Sequence, residues 1–208
     1  MTSAERSRGR PRGFTEKAAL EGAMRAFWAS GYDGTSVDSL CKVTQMSRAS
    51  LYQSYGGKEG LFLAAIAHYV ETRISKVASA LGPNGSLQDD LSAFFNEVVH
   101  LATSDPETPG CLISCVLADV AGSNETFRQE LARRFSAHEG RIAGRLQDAG
   151  WPVSAAVTSA AAAGLVGSVA RGIMVRARTM GAPDELTSIA DSAVAALVQL
   201  HANSSHLD

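Results

Sequence analysis

Residues 35–55 read T-S-V-D-S-L-C-K-V-T-Q-M-S-R-A-S-L-Y-Q-S-Y, and the organisation of the chain follows from this stretch. Its first part has the three-to-four-residue apolar spacing of a short helix, with inward-facing positions at Val37, Leu40 and Cys41. Thr35 followed by Asp38 resembles a capping box at the start of that helix. The stretch is therefore predicted to begin with a short, capped helix.

A tight connection at residues 44–46 leads to a second helix, which Ser47 caps and which runs to about Tyr55. Two short helices joined in this way form a helix-turn-helix, whose second helix can enter a DNA major groove. Its first residues are small or polar, so it could sit deep in a groove and still donate hydrogen bonds; they are Ser47, Arg48, Ala49 and Ser50. Any helical hairpin with a polar second helix would look the same, so the hairpin alone does not indicate DNA.

Helical periodicity continues on both sides of the hairpin. Upstream, Thr15 caps a helix that Gly31 ends, with a buried stripe predicted at Leu20, Ala23, Met24, Phe27 and Trp28. Downstream, Gly56-Gly57 precedes a long helix from Lys58 to about Leu81. Further helices are predicted at 87–102, at 111–121, from about 127 to 149, at 154–179 and at 184–202. The chain is therefore predicted to be all-α, with nine helices.

Charge is distributed unevenly along the 208 residues. Residues 1–60 carry a net charge of +3 and the rest −5, which suggests a basic end that meets a polyanion. Four arginines alternate in the first twelve residues: Arg6, Arg8, Arg10 and Arg12. A solvated tail would have the same composition. Its position beside the hairpin favours contact with phosphates or a minor groove.

Several other classes are disfavoured by the sequence. No segment approaches the roughly 20 continuous apolar residues of a membrane span, and the basic N-terminus lacks the apolar core of a signal peptide, so we expect no membrane partner and a cytoplasmic protein. G-x-S-x-G, H-E-x-x-H, C-x-x-C and phosphate-loop motifs are absent, so an enzyme, a cofactor and a metal site are not expected. A helical interaction adaptor that keeps the hairpin as a scaffold is an open alternative.

The segment from Phe14 to about Tyr69 resembles the DNA-binding domain of the TetR family of bacterial regulators. The matching pieces are G-R-P-R-G-F, an A-x-x-x-F helix ending in G-Y-x-x-T-S, the hairpin, and S-L-Y-x-x-Y-G-G-K-E-G-L-F. The resemblance implies a transcriptional repressor that a small-molecule effector releases from a palindromic double-stranded DNA operator. It also implies a basic arm at 1–13, a DNA-binding domain at 14–60, an effector-binding and dimerisation domain at 61–203, and a polar tail at 204–208.

The resemblance assigns DNA contacts residue by residue. Ser47 opens the recognition helix, Thr35 and Ser36 match phosphate contacts, and Lys58 lies at the positive end of the next helix. The full predicted set is Arg10, Arg12, Thr35, Ser36, Ser47, Arg48, Ala49, Ser50, Tyr52, Gln53, Tyr55 and Lys58. The sequence departs from the family in two places. Gln45 replaces the usual glycine in the turn, and Gly56-Gly57 replaces the usual proline-serine, which weakens the cap of the next helix. A non-glycine residue at 45 would have to adopt a left-handed conformation.

In the family, the second domain usually contains a ligand cavity, and its last two helices pair across a two-fold axis. Residues 154–202 are therefore expected to form a homodimer, with Val175 and Leu197 as candidate seam residues. The predicted cavity residues are Phe94, Phe95, Val98, Val99, Cys111, Leu112 and Cys115. The two cysteines either pack as small apolar residues, or Cys111, near a helix N-terminus, senses an electrophile or oxidant. The histidines beside apolar stripes, His68, His100 and His138, are expected to be core or boundary residues.

Overall fold

The computed structural model describes residues 15–152, 157–179 and 181–204, and within these ranges the chain is all-α, as predicted. The described helices are α1 (Glu16–Gly34), α2 (Val37–Thr44), α3 (Arg48–Tyr55), α4 (Lys58–Tyr69, continuing through a π-helical turn at Val70–Ile74 into Ser75–Ala80), α5 (Leu87–Thr103), α6 (a π-helical turn at Leu112–Leu117 continuing as Ala118–Ala121), α7 (Glu125–Asp148), α8 (Ser159–Arg178) and α9 (Pro183–Ser204). Arg10, Arg12, Ser154 and the last residues of the polar tail lie outside the described ranges.

Helix termini follow the capping residues that the sequence offers. Thr15, Ser47 and Ser86 each accept a backbone N–H from the first turn of α1, α3 and α5, as predicted. Gly31, with φ at +73°, interrupts α1, but one further turn follows and α1 ends only at Gly34. The start predicted at Ser154 for α8 was too early, because Thr158 caps that helix by accepting the N–H of Ala161.

The helices pack in two groups, one containing α1 to α3 and the other α5 to α9, and α4 contacts both. Near its start, Phe62 lies edge-on to Phe27 of α1, with 4.8 Å between ring centroids, and both rings are fully buried. Further along, Ser75–Ala80 packs on α5, which in turn contacts α8 and α9, and α7 packs on α8. The expected domain boundary at residue 61 therefore falls inside one continuous helix. The first turn of α7 bridges the two groups, because Phe127 contacts Phe62 with ring centroids 5.2 Å apart.

Among the described helices, α8 is long and apolar enough to cross a membrane by length and composition alone. Its apolar residues are not continuous, because Ser168 and Arg171 interrupt them. Eight of its residues are buried in the protein: Ala162, Ala163, Val166, Gly167, Ala170, Ile173, Met174 and Ala177. It also carries three arginines, Arg171, Arg176 and Arg178. This combination is typical of a core helix, whose small residues allow its neighbours to approach closely.

A buried ion pair joins the first turn of α5 to α7. Arg145 donates to the Asp90 carboxylate at 2.7 Å, and both side chains are almost completely buried. The same carboxylate accepts the backbone N–H groups of Asn84 and Gly85, each at 3.1 Å. Arg145 also donates to the Gly85 carbonyl oxygen at 3.3 Å. Asp90 therefore fixes the chain between α4 and α5 against α7, with its charge compensated on several sides.

We predict that Arg145→Ala lowers the free energy of unfolding by about 3–5 kcal/mol, because it leaves the Asp90 carboxylate buried without its counter-charge. Urea denaturation followed by circular dichroism measures the change. Arg133→Ala is the matched control on the same helix, since Arg133 is exposed and, among the described residues, forms an ion pair only with Glu130; we expect it to cost less than about 1 kcal/mol. Equal effects of the two substitutions would show that the Asp90 pair is not a structural anchor.

Candidate nucleic-acid interface and ligand cavity

The turn between α2 and α3 has the geometry of a helix-turn-helix. Gln45 adopts φ 57° and ψ 24°, so this non-glycine residue occupies the left-handed conformation that the sequence predicted. Thr44 holds the turn from within, because its buried hydroxyl donates to the Leu40 carbonyl oxygen at 2.7 Å and accepts the N–H of Met46 at 3.4 Å. Leu51 then anchors α3 in the core, where it is fully buried.

The start of α2 differs from the prediction at Thr35. Ser36, not Thr35, is the cap, and its hydroxyl oxygen accepts the N–H of Ser39 at 3.0 Å. Thr35 is 2% exposed, and its hydroxyl donates to the carbonyl oxygen of Gly31 at 2.6 Å. The prediction that Thr35 contacts phosphate is therefore wrong for its side chain, which closes the α1–α2 connection. Ser36 is exposed and stays a candidate contact.

The remaining candidates within the described residues lie at the start of α2, along α3 and at the start of α4. The exposed residues are Ser36, Ser47, Arg48, Ala49, Tyr52 and Gln53, while Ser50, Tyr55 and Lys58 are partly buried. Tyr52 is 50% exposed, although large aromatic side chains are normally more buried. Ser47 and Ser50 hydrogen-bond to each other, with 2.9 Å between their hydroxyl oxygens. The helix α3 and its N-cap therefore expose small polar groups, one guanidinium and a phenol to solvent.

Arg48 is held in place by an acid that the sequence had suggested for another role. Its guanidinium donates to the Asp38 carboxylate at 2.7 Å, across the turn from α2. The hydrogen bond and charge of Arg48 lower the pKa of Asp38, so the carboxylate is ionised at neutral pH. The guanidinium has five N–H donors, which leaves several of them free to point outward. Asp38 thus orients Arg48 on the surface without covering it.

Lys58 lies at the N-terminus of α4, as the resemblance implied. Its ammonium nitrogen is 4.2 Å from the centroid of the Tyr32 ring, a cation–π contact that directs the side chain. No side chain caps α4, because its N-cap is Gly57 with φ at 124°. The first N–H groups of α4 are therefore left without a side-chain partner, which suits a phosphate group there.

Gly60 sets the distance between α3 and α4. A Cβ atom on this residue would clash with the carbonyl oxygen and carbonyl carbon of Tyr55, at the end of α3. Backbone atoms cannot yield as the tip of a flexible side chain can, so only glycine permits this approach. The position of α3 against the body of the protein thus depends on one missing methyl group.

A cavity of about 250 Å³ lies between α4, α6, α7 and α8. Its lining residues are Val70, Ile74, Val77, Ala78, Val98, Cys111, Ile113, Ser114, Arg134, Phe135, Ala137, His138, Arg141, Gly167, Ala170, Arg171 and Met174. Both π-helical turns contribute to the wall, one through Val70 and Ile74 and the other through Ile113 and Ser114. Such turns are frequent at functional sites because they displace side chains from regular helical positions.

The predicted cavity residues are only partly correct. Val98 and Cys111 line the cavity, whereas Phe94, Phe95, Val99, Leu112 and Cys115 are not among the lining residues. Phe94, Phe95 and Leu112 are core residues, each at most 1% exposed, and Val99 is also buried. The apolar stripe of α5 therefore mostly fills the core between helices. Conversely, His138 was expected to be a core or boundary residue and lies in the cavity wall.

The two cysteines have different surroundings. Cys111 is 4% exposed and lines the cavity. Cys115 lies one turn later, with its sulfur 3.9 Å from the Met174 carbonyl oxygen. Burial raises the pKa of the Cys115 thiol, so this residue is protonated at neutral pH and packs as a small apolar side chain. Of the two, only Cys111 stays a candidate for sensing an electrophile, and that role stays a prediction.

Comparison with known proteins gives two family matches. Residues 19–65 match the family described as "Bacterial regulatory proteins, tetR family". Residues 88–192 match "Transcriptional regulator LmrA/YxaF-like, C-terminal domain". The first match covers the helix-turn-helix and the second covers most of the helices behind it.

Individual relatives agree with these matches. The chain is 33% identical over 141 residues to the uncharacterized HTH-type transcriptional regulator YezE of Bacillus subtilis, covering 68% of this chain and 69% of that protein. It is 34% identical over 110 residues to the HTH-type transcriptional repressor ComR of Escherichia coli, and the match spans about half of each, 52% in both cases.

Among solved structures, a cysteine mutant of the TetR family transcriptional regulator CifR, complexed with 26 bp double-strand operator DNA, superposes with a TM-score of 0.81 at 27% identity. That superposition covers 90% of this chain and 99% of CifR. The likeness therefore extends over most of the chain.

We predict that Gly60→Ala destabilises the protein by about 1–3 kcal/mol, because the added methyl group forces α3 away from α4. Gly140→Ala is the matched control, since Gly140 lies within α7 with open space where its Cβ would be. It should stabilise the protein by up to about 1 kcal/mol through helix propensity. Thermal and urea unfolding measure both. Similar shifts for the two variants would contradict the close contact of Gly60 with Tyr55.

Proposed function

Because the chain belongs to the TetR family of bacterial regulatory proteins, we propose that it is a sequence-specific, DNA-binding transcriptional repressor that a small-molecule effector releases from a palindromic operator. The family and the relatives are transcriptional regulators, not enzymes. The observation that carries the proposal is the exposed surface of α3, where Arg48 and Tyr52 lie beside small polar residues. We further propose that the protein acts in the cytoplasm, where bacterial operators lie.

The contacts divide into two kinds. Arg48, oriented by Asp38, reads a base edge in the major groove, because a guanidinium with free parallel donors matches the two acceptors of guanine. Ser36, Lys58 and the unpartnered N–H groups at the start of α4 bind phosphate, which fixes register without reading sequence. Tyr52 adds an aromatic face and a hydroxyl at the edge of the same surface. Arg10 and Arg12 are proposed to follow the phosphates or the minor groove from the N-terminal arm.

A dimer follows from the number of contacts that one recognition helix can make. One helix of eight residues, α3, offers too few contacts for useful affinity, whereas two copies fit a palindromic site. The proposed seam is formed by α8 and α9. On α8 an exposed stripe recurs at helical spacing and includes the large apolar residues Leu165 and Val175, 45% and 48% exposed. Leu197, the other residue suggested for the seam, is 2% exposed within one chain and belongs to its core.

The cavity is the proposed effector site, because its walls are continuous with the DNA-contacting part. α4 carries Val70 and Ile74 in the wall and Lys58 at its N-terminus. α7 carries Phe135 and His138 in the wall, and its Phe127 packs against Tyr32 with ring centroids 4.9 Å apart. A ligand that changes the spacing of α4 and α7 would therefore move both helices where they support α1 and α3.

Operator binding tests the proposal directly, by fluorescence anisotropy with the intergenic DNA upstream of the gene. We predict that Arg48→Ala costs about 1–3 kcal/mol of binding and relaxes discrimination at one position in each half-site. Lys58→Ala should weaken specific and non-specific DNA about equally and flatten the salt slope by about one unit. The control is Lys76→Ala, because Lys76 is an exposed lysine in the distal part of α4. Operator affinity that is indifferent to both Arg48 and Lys58 would contradict the proposed interface.

The dimer has its own test. We predict that Val175→Arg yields a folded monomer with much weaker operator binding, because the new charge would be buried without a partner in the seam at a cost of several kcal/mol. Sedimentation velocity and circular dichroism measure association and helicity. Val43→Arg is the control, since Val43 of α2 is also an exposed apolar residue, at 46%, and lies outside α8 and α9. A wild-type monomer at micromolar concentration that still binds operator would refute the dimer.

A further inference from the structure

The polar part of the cavity wall is cationic. Three arginines and one histidine line it, and no aspartate or glutamate is among the described lining residues; the four are Arg134, His138, Arg141 and Arg171. The rest of the wall is aliphatic or aromatic, apart from Cys111, Ser114 and Gly167. Three of the four cationic or titratable residues belong to α7, and Arg171 belongs to α8. Polar groups in a largely apolar pocket determine the orientation and chemical class of its ligand.

Two of the arginines already have carboxylate partners. Arg134 donates to Glu130 at 2.7 Å, and Arg171 donates to Glu139 at 2.8 Å. Arg171 also stacks on Phe135, with its guanidinium carbon 4.4 Å from the ring centroid, which fixes its position in the wall. Arg141 is exposed to solvent, although it lines the cavity, and it has no ion pair among the described residues. Arg134 shares Glu130 with Arg133, and Arg141 is the lining arginine for which the described residues provide no carboxylate.

The charges of Arg171 and Arg141 act on the imidazole of His138. Burial lowers the pKa of this imidazole, and the positive charges of Arg171 and Arg141 lower it further, which together outweigh the opposite effect of the Glu139 carboxylate. The ring is therefore neutral at pH 7, and both guanidinium groups lie near enough to repel a proton on it. His138 is also fixed by Phe94, with 5.6 Å between ring centroids. A neutral imidazole beside two guanidinium groups offers hydrogen bonding to an anion without adding a competing charge.

The aliphatic side of the cavity favours a ligand with an apolar tail. Val70, Ile74 and Val77 come from α4, and Ile113 and Met174 come from α6 and α8. A volume of about 250 Å³ admits a chain or ring of modest size but no large polycyclic ligand. One uncompensated charge matches a singly charged carboxylate, which a guanidinium binds with two parallel hydrogen bonds. A phosphate dianion would leave a second charge uncompensated in an apolar site.

We propose that this cavity takes a small amphipathic carboxylate, whose carboxylate binds Arg141 beside Arg171 and His138 and whose apolar tail packs on α4, α6 and Met174. The proposal rests on the proposed function only in treating the occupant as the effector. Binding itself can be measured on the protein without DNA.

The test is isothermal titration calorimetry of the full-length protein with three ligands of equal chain length: octanoate, 1-octanol and octylamine. Octanoate should bind at least about tenfold more tightly than the other two, because a hydrogen bond to a charged group is stronger than a neutral one and octylamine meets like charge. Hexanoate and decanoate extend the series to locate the length that the cavity accepts. Equal affinities for octanoate and octanol would overturn the proposal, as would failure of all the carboxylates to bind at millimolar concentration.

Substitution locates the site. Arg141→Gln should weaken octanoate about tenfold and leave octanol unchanged, since it removes the charge and keeps most of the side chain. Arg128→Gln is the matched control, because Arg128 is exposed on the same helix, pairs with Glu125 and is not in the cavity wall. Octanoate affinity that is unaffected by Arg141→Gln would place the carboxylate elsewhere and refute the proposal.

A gel shift, read beside the calorimetry, distinguishes failure of the carboxylate site from failure of the proposed repressor function. Operator binding by the ligand-free protein tests the repressor, whereas calorimetry tests the carboxylate site. A protein that binds octanoate through Arg141 but never binds operator would overturn the proposed function alone. A protein that binds operator but treats octanoate and octanol alike would overturn the carboxylate proposal alone.

Discussion

Phe62 and Ile66 of α4 are fully buried against the helices of the N-terminal part, and Val77 of the same helix is buried against the helices behind it. Burial at both ends constrains the rest of the chain, because a helix cannot move at one end without strain or repacking at the other. The contact between Gly60 and Tyr55 then ties α3 to the start of α4. The cavity uses the middle of this helix, where Val70 and Ile74 lie in a π-helical turn.

Polar contacts reinforce this packing where α1 meets α4 and the loop after α5. Glu21 of α1 binds His68 at 3.0 Å and Arg73 at 2.8 Å, both on α4. Burial raises the pKa of Glu21, but the hydrogen bond of His68 and the charges of Arg73 and Arg25 outweigh that effect and lower it. Arg25 extends the network to Asp105 at 2.8 Å. The two parts of the chain are thus joined by directional contacts as well as by apolar burial, and a movement of α4 would strain the contacts that hold it to α1.

Local patterns in the sequence predict most of the helices but few of the cavity residues. Caps such as Ser47 and Ser86, and the left-handed Gln45, depend on neighbours within four positions, so the sequence displays them directly. Thr35 also binds a residue four positions away, Gly31, but α1 is kinked at Gly31, so helical periodicity does not reveal that Thr35 is buried. The cavity wall joins Val70, Cys111, His138 and Arg171, which are separated by 27 residues or more along the chain. Apolar spacing marks the faces that turn inward, but only the relative placement of helices and the two π-helical turns decide which inward residues meet a void.

The cavity lies on α4, the helix that positions α3, so a small movement of α4 at the cavity would displace α3. A ligand weakens operator binding only to the extent that it binds the DNA-free conformation more tightly than the DNA-bound one. A hundredfold loss of operator affinity requires a difference of about 2.7 kcal/mol between these two binding free energies. Lys58 lies twelve residues from Val70, which is about 18 Å along a helix axis. A tilt of about 10° at the cavity would then move the start of α4 by about 3 Å, the length of a hydrogen bond to phosphate. Because Gly60 holds α3 against α4, the recognition helix would follow, and in a dimer its spacing from the partner copy would no longer match the half-sites one helical turn apart.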